Sequence, residues 1–248
     1  MTSVIDKLSS EWVTFEETAS LPTHTKGFLC STFLWLRVKL LVCFMRIGSR
    51  LGVARLGGLM LHTRGEGCNP SPLPGLSFEP LFLAGVDDLS AGEHVLDMGT
   101  GCGVWALLAS RMGAEVTASD LEQVSLDIVA TNAKRNGLTP PKLVSGDLFE
   151  PLKHLRFNRI LFNPPFHVGA VTRPSDAAYL GGENGAVVRR FIRDFSHYLL
   201  PEATACIILP SIELKQYANE LEGVEVRVRA KQWVPVLGRV YLLELRGQ

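Results

Sequence analysis

From about residue 78 onward, short apolar runs alternate with amphipathic stretches, and that alternation predicts strands separated by helices. His94 to Met98 reads as a buried strand, Val104 to Met112 as a helix, and Glu115 to Ser119 as a second strand. Leu121 to Asn136 follows as a helix closed by Gly137, a residue that tolerates the left-handed backbone of a helix end. Lys142 to Ser145 and Arg159 to Phe162 supply the third and fourth strands. Val187 to Leu199 is a helix stopped by Pro201, and Thr204 to Leu209 a fifth strand. Ser211 to Leu221 reads as a helix capped by Ser211, and Val224 to Val228 and Val240 to Leu245 complete the sheet through Pro235 and Gly238. The order predicts an α/β fold with a parallel, doubly wound sheet and right-handed crossovers.

Residues 1–64 lack this alternation and read as a helical N-terminal cap or lid. A Gly/Pro-rich connector over 65–77 (Gly65, Gly67, Pro70, Pro72, Pro74, Gly75) separates them from the main domain, 78–248. The apolar stretch Phe28 to Met45 approaches the length of a membrane span, yet Arg37 and Lys39 sit in its middle. On a helix Thr32, Lys39, Arg46 and Arg50 share one narrow face, which predicts an amphipathic helix packed on its own domain. A lid, the seam of a homodimer and a membrane-surface helix all stay open for this segment.

Composition narrows the partners. At 248 residues, 46% hydrophobic and 20% charged, the chain suffices for one α/β domain with an appendage. Its 25 Lys plus Arg balance 25 Asp plus Glu, which argues against nucleic acid as a substrate. Cys30, Cys43, Cys68, Cys102 and Cys206 show no paired spacing, so neither a disulfide framework nor a metal site is expected. No basic, apolar and small-residue succession follows Met1, and a cytoplasmic location is expected.

The chemistry concentrates at strand ends. Asp97 is followed by Gly99, Gly101 and Gly103, which put a side-chain-free backbone where something must approach closely. A dinucleotide fingerprint spaced G-x-G-x-x-G would need glycine where Val104 stands, and the Asp97 carboxylate would repel a pyrophosphate. A cationic ligand suits the loop better. Asp120 ends the second strand, where a carboxylate accepts hydrogen bonds from ribose hydroxyls, and Asp147 follows the third, where an acceptor meets an adenine amino group.

Asn163, Pro164, Pro165 and Phe166 close the fourth strand. The prolines fix two acceptors, the Asn163 side-chain oxygen and the Pro164 carbonyl, on a backbone that cannot relax. Two acceptors hold the two hydrogens of an amino group and leave its lone pair aimed at an electrophilic carbon. Phe166 stacks on a planar group or faces a cation. His167 is a candidate general base, against the simpler reading of a hydrogen-bonded loop histidine.

These residues resemble the class I S-adenosylmethionine-dependent methyltransferases over residues 78 to 248. The resemblance implies a Rossmann-like seven-stranded sheet whose last strand is antiparallel. It also implies S-adenosylmethionine as cofactor, with Gly99, Gly101 and Gly103 at the methionine part, Asp120 at the ribose and Asp147 at the adenine. The Asn163 tetrapeptide resembles that of enzymes methylating exocyclic or amide nitrogens, and Gly181, Gly182, Glu183, Asn184, Gly185 resembles the glycine-rich segment of the release-factor glutamine enzymes. N-methyl transfer to a small molecule or an amide is the expected function. One alternative is cyclisation of S-adenosylmethionine itself to azetidine-2-carboxylate, with Phe166, Tyr179 and Trp35 caging the sulfonium. The other is a non-catalytic module that binds the donor.

Overall fold

The computed structural model describes residues 52–63, 77–167, 169, 180–234 and 237–247. The expected helix over 28–45, most of the connector, and Trp35, Ser175, Tyr179 and Pro235 lie outside the described residues.

Two short strands open the described chain, β1 (Val53–Leu56) and β2 (Leu59–His62), paired antiparallel. The helical expectation for residues 1–64 fails over this hairpin. Gly57 and Gly58 both have positive φ, 54° and 76°, the combination that a tight two-residue hairpin turn requires. Ala54, Leu56, Leu59 and Leu61 face inward and Val53, Arg55 and Met60 outward, a period-two pattern masked by the apolar run before it.

The main sheet has seven strands in the order β5-β4-β3-β6-β7-β9-β8: β3 (His94–Met98), β4 (Glu115–Asp120), β5 (Lys142–Ser145), β6 (Phe157–Phe162), β7 (Leu199–Pro210), β8 (Glu225–Val234) and β9 (Gly238–Arg246). Strands β3 to β7 pair in parallel, and β9 runs antiparallel to both neighbours. The connecting helices are α1 (Glu79–Ala84), α2 (Val104–Arg111), α3 (Gln123–Arg135), α4 (Ala186–Asp194) and α5 (Ser211–Leu214). Helix α4 ends sooner than expected because residues 195–198 tighten into a 3₁₀ turn, and the expected helix to Leu221 shortens to α5 plus a 3₁₀ turn.

Alternation along the strands sorts the core into two layers. Val95, Leu161, Cys206 and Ile208 face the side packed with α1, α2 and α3. Leu96, Met98, Ile160, Phe162, Ile207 and Leu209 face the α4 side. Trp105 anchors the first layer: its indole N–H donates to the Phe82 carbonyl at 2.8 Å and its ring meets Phe82 edge-on at 4.9 Å. Arg229 ties the end of α1 to the sheet. It bonds Glu244 at 2.8 Å, Asp87 at 2.6 Å and the Ala84 carbonyl, while Arg159 reaches Asp88 at 3.1 Å.

Candidate active site

Because β3 to β7 are parallel, Gly99, Asp120, Asp147, Asn163 and Ser211 all arrive at one edge of the sheet. The strand order reverses between β3 and β6, and ligands of open α/β sheets sit at the carboxyl ends beside such a reversal. The glycine loop follows β3 and the Asn163 tetrapeptide follows β6. The two therefore flank the reversal as neighbours.

Gly99, Gly101 and Gly103 all have positive φ, 59°, 54° and 86°, so this loop path needs glycine at each. Asp97 braces it from inside: Oδ2 accepts the Thr100 hydroxyl at 2.7 Å and the Ala106 N–H at 2.8 Å. The side chain is 3% exposed, and burial pushes its carboxyl up to about 7 against those two hydrogen bonds. The sequence places Asp97 beside the cofactor; its Oδ2 is committed to Thr100 of the loop and to the first turn of α2. Asp120 does face the loop. Its Oδ2 accepts Gly101 N–H at 2.9 Å, its Oδ1 accepts Glu122 N–H at 3.0 Å, and the Ser125 side chain adds a third hydrogen bond, which still leaves the carboxylate lone-pair capacity to spare. Burial raises the Asp120 carboxyl above the ordinary range, and the Glu122 and Gly101 amides partly offset this.

Asp147 stands past β5, with Arg190 of α4 donating to its Oδ2 at 2.9 Å. Arg190 also lies 3.9 Å from Glu150. No spacing rule connects Arg190 to Asp147, so only the fold reveals this pair.

The Asn163 Oδ1 is buried and has no hydrogen-bond partner among the described residues. A buried polar atom without a partner carries a penalty of about 1–3 kcal/mol, which an incoming donor removes. Phe166 is half-buried, with the Phe78 ring 6.4 Å away and the His167 ring edge-on at 4.8 Å. The segment leading into α1 thus reaches the tetrapeptide through Phe78. His167 is 5% exposed; Nδ1 lies 3.8 Å from Glu213 Oε1, beyond hydrogen-bond distance, and Nε2 is buried without a partner among the described residues.

The glycine-rich segment explains itself here. A Cβ on Gly181 would stand 2.3 Å from the Pro165 carbonyl oxygen, and one on Gly185 would stand 2.2 Å from the Tyr217 hydroxyl. The Gly181 N–H donates to the His167 carbonyl at 2.8 Å, so this backbone lies directly on the tetrapeptide. Tyr179 is outside the described residues, and its expected role at the sulfonium stays an expectation.

Residues 80–207 match the family described as methyltransferase small domain. The chain belongs to that family. That family is one of methyltransferase domains, and the residues present fit S-adenosylmethionine as the cofactor: a side-chain-free loop, Asp120 with lone-pair capacity to spare, and Asp147 with its second oxygen. The ribosomal protein uL3 glutamine methyltransferase of Bradyrhizobium diazoefficiens is 36% identical over 129 residues, covering 47% of this chain and 40% of that one. The release factor glutamine methyltransferase of Deinococcus radiodurans is 32% identical over 193 residues, 72% of this chain and 67% of that one. The chain spans only 57% of the corresponding enzyme of Gloeobacter violaceus. Among solved structures, a methyltransferase from Pyrococcus furiosus superposes with a TM-score of 0.59 at 20% identity, covering 85% of this chain and 98% of that one. The 16S rRNA N2 G1207 methyltransferase of T. thermophilus, solved with AdoMet and guanosine, gives 0.56 at 24% identity, covering 79% and 50%. Both share the fold. Among the described residues, no helix is long and apolar enough to cross a membrane.

Proposed function

We propose that this protein methylates an amide nitrogen, the side-chain amide of a glutamine in a protein substrate. The observation that carries the reading is the unpartnered, buried Asn163 Oδ1 at the end of β6, one strand from the glycine loop. A primary amide has two N–H groups to give, and Asn163 Oδ1 with the Pro164 carbonyl supplies two acceptors on a proline-locked backbone. An amide lone pair is delocalised into its carbonyl. Holding both hydrogens in fixed directions presents the nitrogen face-on to the donor, the orientation term of catalysis.

S-adenosylmethionine supplies the electrophilic methyl group. Asp120 holds the ribose, Asp147 the adenine amino group, and the backbone of Gly99 to Gly103 the methionine part. Phe166 lines the acceptor side. The expectation of a small-molecule acceptor gives way to a protein because the relatives above are named for glutamines in a release factor and in ribosomal protein uL3. Nothing in the comparisons supports azetidine formation.

The deciding experiment incubates the protein with S-adenosylmethionine alone and, separately, with S-adenosylmethionine plus a bacterial release factor and plus uL3, followed by mass spectrometry of peptides and small molecules. A glutamine one methylene heavier is expected, with Asn163→Ala lowering the rate at least ~100-fold. Unmodified glutamines in both substrates, together with methylthioadenosine released from donor alone, would replace this reading with cyclisation.

A further inference from the structure

Two asparagines, Asn132 on α3 and Asn136 at its C-cap, do the work of a β-strand. Asn136 Oδ1 accepts the Met60 N–H at 2.8 Å and its Nδ2 donates to the Met60 carbonyl at 2.9 Å. One turn earlier, Asn132 Oδ1 accepts the His62 N–H at 2.6 Å and its Nδ2 donates to the His62 carbonyl at 3.1 Å. The spacings match: four helical residues rise about 6 Å, and two strand residues about 6.8 Å. The outer edge of β2 is thereby laddered onto α3 by side-chain amides.

Asn132 makes one bond more. Its Nδ2 also donates to the carbonyl of Cys102 at 2.9 Å, and Cys102 lies between Gly101 and Gly103 in the donor loop. The side chain is fully buried, with both N–H groups spent, one on the hairpin and one on the loop. Val129, one turn before it, packs on Gly103, where a Cβ would come within 3.1 Å of the Val129 side chain. The same face of α3 therefore carries the glycine loop and the hairpin at once.

We propose that Asn132 is a positioning residue that couples β1–β2 docking to S-adenosylmethionine binding, so that each stabilises the other. The physical cause is the shared amide. When β2 leaves, Asn132 keeps a buried oxygen and one N–H without partners, a costly state that turning the amide relieves. Turning it releases the Cys102 carbonyl and slackens the loop whose backbone receives the donor. Linkage makes the effect reciprocal: a donor that favours the braced loop favours the docked hairpin by the same factor. This concerns the donor alone and does not depend on which acceptor is methylated.

The test is amide hydrogen exchange at Met60 and His62, with and without S-adenosylhomocysteine, alongside calorimetric titration of the same ligand. In the wild-type protein, exchange at both amides is expected to slow several-fold on ligand addition. Asn136→Ala loosens only the outer half of the ladder, so exchange accelerates while the ligand response and an affinity within about twofold of wild type persist. Asn132→Asp keeps the acceptor for His62 but sets oxygens against two carbonyls. It is expected to lose the ligand response and to bind about tenfold or more weakly. Ligand heats in the wild type with no change in exchange overturn the coupling and leave the cofactor assignment intact, and so does a retained ligand response in Asn132→Asp. That wild-type comparison decides even if the Asp variant fails to fold. A flat wild-type titration overturns donor binding itself, and the coupling with it.

Discussion

Asp120 Oδ2 receives the backbone N–H of Gly101 at 2.9 Å, so the acid at the end of one strand holds the glycine loop at the end of its neighbour. One carboxylate thus has two tasks, shaping the loop and offering its remaining lone pairs to a ribose. Asp120→Ala is expected to weaken S-adenosylhomocysteine binding by at least tenfold, a loss near that of a charged hydrogen-bonding group, ~1.5–3 kcal/mol. Calorimetric titration checks it, and an unchanged affinity would remove Asp120 from the donor site.

Gly181→Ala places a methyl group where the Pro165 carbonyl oxygen now stands 2.3 Å away. Backbone must move, and the backbone in question carries Asn163. Turnover is expected to drop at least ~10-fold, because a misplacement near 1 Å is costly for an oriented reaction. Donor affinity should stay within twofold. A parallel loss of donor binding would mean the segment serves the glycine loop and not the acceptor side.

Asp97 predicts a pH-dependent stability. Burial raises its carboxyl from 3.8 to about 7, so between those values the folded protein binds more protons than the unfolded chain. Stability attributable to Asp97 therefore falls as pH rises from about 4 to about 7 and levels off above, a span worth about 4 kcal/mol. Urea unfolding of wild type and Asp97→Asn across this range checks it. Two parallel stability curves would show that Asp97 does not titrate in the folded state.

Arg229 is 14% exposed and faces the 8% exposed Glu244. Arg229→Met leaves that buried carboxylate with only Arg246, 3.9 Å away, as counter-charge and is expected to cost about 3 kcal/mol, read as a lower urea midpoint. A double substitution with Glu244→Leu should recover most of the loss. Failure to recover would place the stabilisation in the contacts to Asp87, Asp88 and the Ala84 carbonyl.

The sheet was legible because its inner strands β3, β4, β6, β7 and β9 are largely buried on both faces, and because Gly99 to Gly103 and Asn163 to Phe166 punctuate strand ends in a way few other folds require. The hairpin was not. Gly57 and Gly58 are a strong turn signal, but the apolar residues ahead of them satisfy a helical period equally well. Arg190, which shares Asp147, and Phe78, which reaches Phe166, act across the tertiary structure, so no local pattern announces them. Asn132 left a faint trace. It is a polar residue in the otherwise mostly apolar buried stripe of α3, beside Leu126, Ile128, Val129 and Ala133.

The amide ladder on β2 has a consequence for solubility. A strand with an open edge is a template on which another chain can add itself, and Leu59–His62 is apolar enough to invite this. Met60 and His62 have their outward N–H and C=O groups taken by side chains of α3, and a side chain, unlike a strand, offers no new edge beyond itself. On the β2 side the hairpin ends its own growth. Whatever undocks it exposes a sticky edge, and self-association on heating should begin there.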